Sequence, residues 1–381
     1  VSQGTHEYSI ESVIPASGAI GYIGKSLYEP DDLMTANVGD IKFYNEALTE
    51  DQVKESMPTD AEKDAMYAAE TGTEVPGGDS GSELIASYDM SHTGDVLTDV
   101  SGNGNDAALS GAEDTDFRSN GEEKVWQLDG ESYAALPFSI AEDLGDSEDF
   151  TIQATLTTQK SAAHWLFAVG DGMGTWGEKN VGDYIFVNPS ASEKSGNFLA
   201  AIKTGTGSNW KETRFSDSST GMGDVNGYGT VTLTGEGGNL KLYLDGQLIS
   251  TASQDKTIQD VIPTGEDAVF GYIGKSLYEP DALLTANLTD FKIYSGALTE
   301  TEIKEGLPAA DEKSDMLMAD VLETVKGENA SLDAVTDDLN LADSIDNVEI
   351  TWGSWDETDV IAEDGTVTAP AEGQVDVTIP F

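Results

Sequence analysis

Gly271–Ile303 reads GYIGKSLYEPDALLTANLTDFKIYSGALTETEI, and Gly21–Val53 reads GYIGKSLYEPDDLMTANVGDIKFYNEALTEDQV. The two stretches lie 250 residues apart and share their first eleven residues. That spacing is too long for a solenoid unit and suits a whole β-domain plus a linker, so the chain reads as tandem copies of one domain. Only twenty residues precede the first copy. The expectation is that residues 1–58 are the C-terminal part of a first domain, in a fragment of a longer protein.

Working outward, Thr49 and Gln52 stand at capping-box spacing, with Val53 and Met57 on one helical face. Asp60–Ala69 again favours helix, and TGTEVPGGDSGS (Thr71–Ser82) is a Gly/Ser linker, so 59–82 is expected to be a helical segment and linker. Residues 83–304 read as one all-β domain. Strands are expected at Leu84–Tyr88, Val125–Leu128, Tyr133–Pro137, Phe150–Thr157, His164–Val169, Tyr184–Val187, Phe198–Lys203, Thr230–Thr234, Leu240–Leu244, Leu248–Thr251, Val269–Ile273 and Leu288–Tyr294. Asp245-Gly246 is a two-residue hairpin signal, because both residues tolerate positive φ. In TIQATLT (Thr151–Thr157) and NLKLYLDG (Asn239–Gly246) the alternation predicts one wet face and one core face per strand. So many short strands suit an antiparallel β-sandwich or jelly roll. A helical linker is expected over 305–330. Residues 331–381 read as a partial β-domain, with Ile350, Trp352 and Val360 in its core and Asp364-Gly365 at a hairpin turn.

The composition narrows the function classes. Against 71 acidic residues stand 19 basic ones, a formal net charge of −52. Such a field repels nucleic-acid phosphates and anionic membranes and offers many carboxylates to divalent cations. No run of apolar residues approaches membrane-spanning length. Without cysteine there are no disulfides, thiolate metal sites or cysteine nucleophiles. His6, His92 and His164 match no metal or triad spacing, and the abundance of acids makes chance carboxylate pairs inevitable, so an intrinsic enzyme is not expected.

Three motifs together carry a resemblance: DVSGNGNDA (Asp99–Ala107) after an opening strand, the late LYLDGQLI hairpin, and the closing GYIG…LTDFKIYSGALTETEI. They resemble the laminin G-like, concanavalin A-like jelly rolls of secreted bacterial glycoside hydrolases. The tail, with NVEITWGSWDETDVIAEDGTVTAP, is similar to the atrophied bacterial immunoglobulin-like domains found beside them. The resemblance implies a non-catalytic carbohydrate-binding or accessory module of a large secreted or cell-surface bacterial enzyme, often of the arabinofuranosidase or xylosidase kind. Its partners would be a polysaccharide and the neighbouring domains of the same long chain. Fold alone does not fix function, and a structural or adhesive stalk of tandem β-domains is the alternative.

Two groups of residues are candidate sites. Asp99, Ser101, Asn103 and Asn105 crowd oxygens into a Gly-rich loop. Such a loop suits either Ca²⁺ or a plain Asx turn. The resemblance implies a structural Ca²⁺ near this loop, helped by an acid of the closing strand, where Asp290 stands, with Asp40 as its counterpart. Trp176, Trp210 and Tyr184 are candidates for stacking on a sugar ring, and Lys211, Arg214 and Lys203 for orienting its hydroxyls. Trp165, in an apolar strand, reads better as core. The duplicated SLYEP (Ser26–Pro30 and Ser276–Pro280) serves either to keep a turn or to make a shared ligand contact.

Overall fold

The computed structural model describes residues 81–158, 164–170, 174–175, 182–191, 196–205, 211–215, 220–264, 269–279 and 281–381. Of the preceding stretch it describes 23, 41–44, 48–49 and 52–53. The chain falls into two compact units, 1–74 and 75–381. In the first, the expected capping box is present: Thr49 N–H donates to Gln52 Oε1 at 2.9 Å and Gln52 N–H to Thr49 Oγ1 at 3.3 Å.

The second unit is built on two antiparallel sheets. Among the described residues, one sheet runs in the order β16 (Gln247–Ser253), β15 (Asn239–Leu244), β14 (Gly229–Glu236), β8 (Phe150–Thr157), β19 (Thr285–Ser295), β6 (Glu123–Asp129) and β5 (Phe117–Asn120). Strand β1 (Glu83–Tyr88) also pairs with β19. The other runs β13 (Lys211–Phe215), β12 (Asn197–Thr204), β11 (Tyr184–Ala191), β9 (Phe167–Gly170), β17 (Gly271–Ile273), β7 (Tyr133–Leu136), β4 (Ala107–Ser110), β3 (Val96–Leu97) and β2 (His92–Thr93). Between them lies a single large core, with Trp126, Phe150, Phe167, Phe198, Phe270 and Phe291 fully buried. The fold is therefore the expected antiparallel sandwich, and each of the twelve expected strands has a counterpart. The closing half of the repeat is β19, the strand that β1, β6 and β8 all pair with.

Asp245 (φ 47°) and Gly246 (φ 71°) make the β15–β16 turn with two consecutive positive φ values, as a tight hairpin requires. The expected wet face of β8 is a correction. All eight of its residues are buried, including Thr151, Gln153, Thr155 and Thr157. Their side chains are satisfied laterally. Gln153 Nε2 donates to Thr232 Oγ1 at 3.1 Å, Thr155 and Thr230 share a hydroxyl bond of 2.9 Å, and Thr151 Oγ1 donates to the Gly296 carbonyl at 3.0 Å. Alternation reports polarity and not wetness: hydroxyl and amide groups can be buried when they bond each other.

Among the described residues, three α-helices pack on this frame. Short α1 (Ser139–Leu144) packs three apolar residues inward. Helix α2 (Glu300–Glu305) opens on a Thr299/Glu302 capping box, the equivalent of the Thr49/Gln52 box. Helix α3 (Ala310–Lys326) lies against β5 and β6, burying Met316 and Ala319 on Val125 and Tyr228. Its other face joins the tail: Val321, Val325, Leu339 and Ile361 form a cluster to which Ile350, Trp352 and Val360 add partly buried surface. The tail's ladder is sparse among the described residues. It comprises the hairpin β20 (Ser344–Ile345) with β21 (Val348–Glu349) and a bridge between Ile361 and Val367 around the Gly365 turn (φ 88°). No helix among the described residues is long and apolar enough to cross a membrane.

Candidate functional site

The outer face of the nine-stranded sheet is not a plain polar surface. Pairing aligns Tyr272, Ala168, Phe186, Ala201 and Arg214 across strands β17, β9, β11, β12 and β13. One row further along stand Gly170, Tyr184, Lys203 and Glu212. These side chains point away from the sandwich core, because residues on the alternate positions, such as Phe167, Ile185 and Ile202, belong to it. They build a second apolar cluster of their own, with Trp165, Tyr184, Phe186, Leu199 and Leu277 buried and Tyr272 and Tyr278 packed at its margin.

Aromatic rings organise this cluster. Trp165 stacks on Phe186 with centroids 3.8 Å apart and planes 5° apart, and meets Tyr184 and Tyr278 at 5.4 and 5.9 Å. Tyr184 donates its hydroxyl to Glu212 Oε1 at 2.9 Å and lies 3.0 Å from the Tyr278 hydroxyl. Burial and the Glu212 charge hold the Tyr184 phenol far above its usual range, so it stays a donor. Arg214 Nε closes the set on Glu212. Lys203, 1% exposed, donates to the carbonyls of Gly182 at 2.7 Å and Gly205 at 3.1 Å, and burial lowers its pKa against the pull of Asp183 and Glu212. Burial likewise lowers the pKa of His164, against Asp281.

Beyond the cluster's edge lies a smaller group. Tyr133 and Tyr272 meet edge to face with centroids 5.9 Å apart, and the Lys275 ammonium lies 4.4 Å from the Tyr133 ring and 5.5 Å from that of Tyr272. All three side chains are partly exposed. The face thus presents partly open rings at Tyr133, Tyr272 and Tyr278, backed by buried ones.

Of the residues expected to bind sugar, Tyr184 and Arg214 come together on this face. Tyr184 is 2% exposed, so its ring supports the surface from below and cannot itself stack on a ligand. The backbone of Lys211 pairs with Thr204, while its side chain, like Trp176 and Trp210, lies outside the described residues. Trp165, 7% exposed, packs as expected, in the second cluster instead of the main core. Tyr133, Tyr272 and Lys275 were not singled out from sequence. The available signal was the eleven-residue identity of the repeat, which contains two of them.

The Asp99 loop has a different character. Asp99 accepts from Ser87 N–H and Ser101 N–H at 2.9 Å each, from Ser101 Oγ–H at 2.8 Å and from Asn105 N–H at 2.9 Å. The amides of Asn103 and Asn105 donate to the Leu84 and Ile85 carbonyls of β1. Asp290 accepts from Lys292 Nζ at 2.6 Å and has Asp89 and Glu123 as acidic neighbours. Among the described residues no three His, Cys, Asp or Glu side chains converge as a cation would need. With its carboxylate accepting from four donors, the loop has the hydrogen bonding of an Asx turn. Asp40 lies outside the described residues.

One further cleft, of about 490 Å³, lies where α3 and the β20–β21 hairpin meet the other sheet, lined by Arg118, Thr157, Asn287, Asp320 and Asp346 among others.

Residues 128–304 match the family model of the concanavalin A-like lectin/glucanases superfamily. The chain is 27% identical over 311 residues, 77% of its length, to an α-L-arabinofuranosidase of Bifidobacterium longum subsp. longum. It spans about a quarter of that relative's length, 27%. Among solved structures, domain 4 of the extracellular GH43 arabinanase AbnA from Geobacillus stearothermophilus, in complex with arabinotriose, superposes with a TM-score of 0.43 and 19% identity, covering 59% of this chain and 98% of that one. The binding domain of botulinum neurotoxin serotype C1 gives 0.38 and 15%, covering 58% and 51%. That of Paraclostridial Mosquitocidal Protein 1 gives 0.37 and 18%, covering 64% and 53%.

Proposed function

Taking as premise that residues 128–304 belong to the concanavalin A-like lectin/glucanases superfamily, we propose that the chain is a carbohydrate-binding accessory module of a larger extracellular bacterial glycoside hydrolase. The observation that carries this reading is the second aromatic cluster on the outer face of the nine-stranded sheet. The sandwich already has its core, so a band of rings on the opposite face, with Tyr133, Tyr272 and Tyr278 partly open, is surplus to folding. Flat rings cover the apolar face of a sugar while neighbouring donors take its hydroxyls. Trp176, Trp210 and Lys211 remain candidates for the same ligand on sequence grounds. The α-L-arabinofuranosidase relative favours arabinose-containing polysaccharides as the substrate of the parent enzyme.

A glycan array with the whole chain, run with Ca²⁺ and with a chelator, tests the proposal. Binding to a defined set of plant or host glycans is expected. Silence from chain shown to be folded would reject it and favour the spacer or adhesive stalk. The packing of α3 on β5 and β6 suits that alternative, because it gives the next segment a set direction away from the sandwich.

A further inference from the structure

We infer that Tyr133, Tyr272 and Lys275 form the ligand-contacting subsite of this face, and that it takes a neutral sugar ring in preference to a uronic acid. The inference rests on the glycan reading above and names its contact and its ligand class.

The first observation is the unusual state of Lys275. Lys124, Lys241, Lys256, Lys292, Lys304, Lys313 and Lys326 each reach a carboxylate. With 71 acidic residues in the chain, that is the ordinary fate of a lysine here. Among the described residues no carboxylate lies within ion-pair distance of Lys275; its ammonium rests over the rings of Tyr133 and Tyr272. A cation on a ring face keeps its N–H donors available to a third party.

The second observation is the pattern of identity within the repeat. Strand positions that fill the core have drifted between the copies: Leu288, Phe291 and Ile293 are buried, and their counterparts are Val38, Ile41 and Phe43. The GYIGKSLYEPD segment has not drifted. Packing explains most of it. A Cβ on Gly271 would run into the Ala168 carbonyl, Ile273 is core, and Gly274 has φ +79°. Ser276 Oγ bonds Asp281 and caps Tyr278 N–H, and Leu277 is buried in the outer cluster. Packing does not explain a partly exposed lysine or the open edge of Tyr272. A shared contact does. The counterparts Tyr22 and Lys25 lie outside the described residues.

The third observation selects the ligand class. The chain carries a formal charge of −52, and the cation of this subsite is the Lys275 ammonium. That field raises the cost of bringing a polyanion to the face, whereas a neutral ring feels only the local donors and the tyrosine surfaces.

The test titrates the whole chain calorimetrically with neutral oligosaccharides and with uronic-acid oligosaccharides of matched length. It compares wild type with Tyr22→Ala/Tyr272→Ala, Lys25→Met/Lys275→Met and the conservative Lys25→Arg/Lys275→Arg; changing both copies prevents the first from masking the second. Thermal unfolding confirms that each variant is folded. The expected result is preference for the neutral series, a loss of about tenfold or more in each non-conservative variant, partial rescue by Arg, and a Kd changing less than about twofold between low and high salt. Preference for the uronates with a steep salt dependence overturns the ligand class. Undiminished affinity in the folded variants overturns the subsite while leaving the glycan reading standing. No binding by wild type to any member removes both.

Discussion

Tyr228, at the end of the sandwich, donates its hydroxyl to Asp320 of α3 at 2.5 Å. Arg118 Nε reaches the same carboxylate at 2.9 Å, and Asp320 is almost fully buried. One acid thus ties strand, loop and helix together. Asp320→Ala leaves a guanidinium and a phenol without their partner, which costs about 3 kcal/mol. Thermal unfolding would show a lower midpoint, and amide exchange would show α3 loosening before the sheets. An unchanged midpoint would contradict this account of the junction.

The neighbouring Asp346 sets a pH dependence. Burial, reinforced by the negative charge of Asp320, pushes its pKa up to about 7, while Thr157 and Arg118 pull the other way. A carboxyl whose folded pKa is raised favours the docked state most when protonated. Its contribution is fully present below about pH 4 and is lost as pH rises through about 7. The bond from Gly227 N–H to the Asp346 carbonyl, 2.8 Å, reports hairpin docking directly. Protection of the Gly227 N–H, after correction for the intrinsic base catalysis of exchange, should fall between about pH 4 and 7 in wild type, and Asp346→Asn should flatten that dependence.

The Asp99 loop predicts indifference to chelators. Its four hydrogen bonds come from within the chain. Asp99→Ala orphans three buried or half-buried N–H groups and should cost about 2–3 kcal/mol. Removing Ca²⁺ should leave the unfolding midpoint of wild type where it was; a fall on adding chelator would restore the cation to the loop.

Trp126 offers a contrast within the core. It is fully buried, and among the described residues its Nε1 finds no acceptor. Trp126→Phe removes an unsatisfied donor along with some volume, so it should cost less than about 1.5 kcal/mol, against about 3–5 for Trp126→Ala. Denaturant midpoints of the two variants give the comparison.

How much of this was legible in the sequence follows from which signals are local. The long strands were readable because alternation and β-branched residues are properties of a few consecutive positions; Phe150–Thr157 agrees residue for residue. Strands of two residues, such as His92–Thr93 and Val96–Leu97, carry no period to read. For Asp99 the sequence shows the oxygens of the loop but not the N–H groups aimed at them. Asp290 and Lys292, two residues apart on one strand, form a pair that their spacing alone could suggest. Tyr133 could not be joined to Lys275 by any spacing, since β7 and β17 are brought together only by the sheet.

The junction between α3 and the sandwich is a seam of mixed character. Its apolar part is small, Val125, Tyr228, Met316 and Ala319, and much of the rest is charge, hydroxyl and amide around the cleft of about 490 Å³. If such a seam parts, the polar groups rehydrate and little greasy surface is bared. A seam so composed would bare no adhesive surface on opening, so it is expected to part and close again before the sandwich itself gives way.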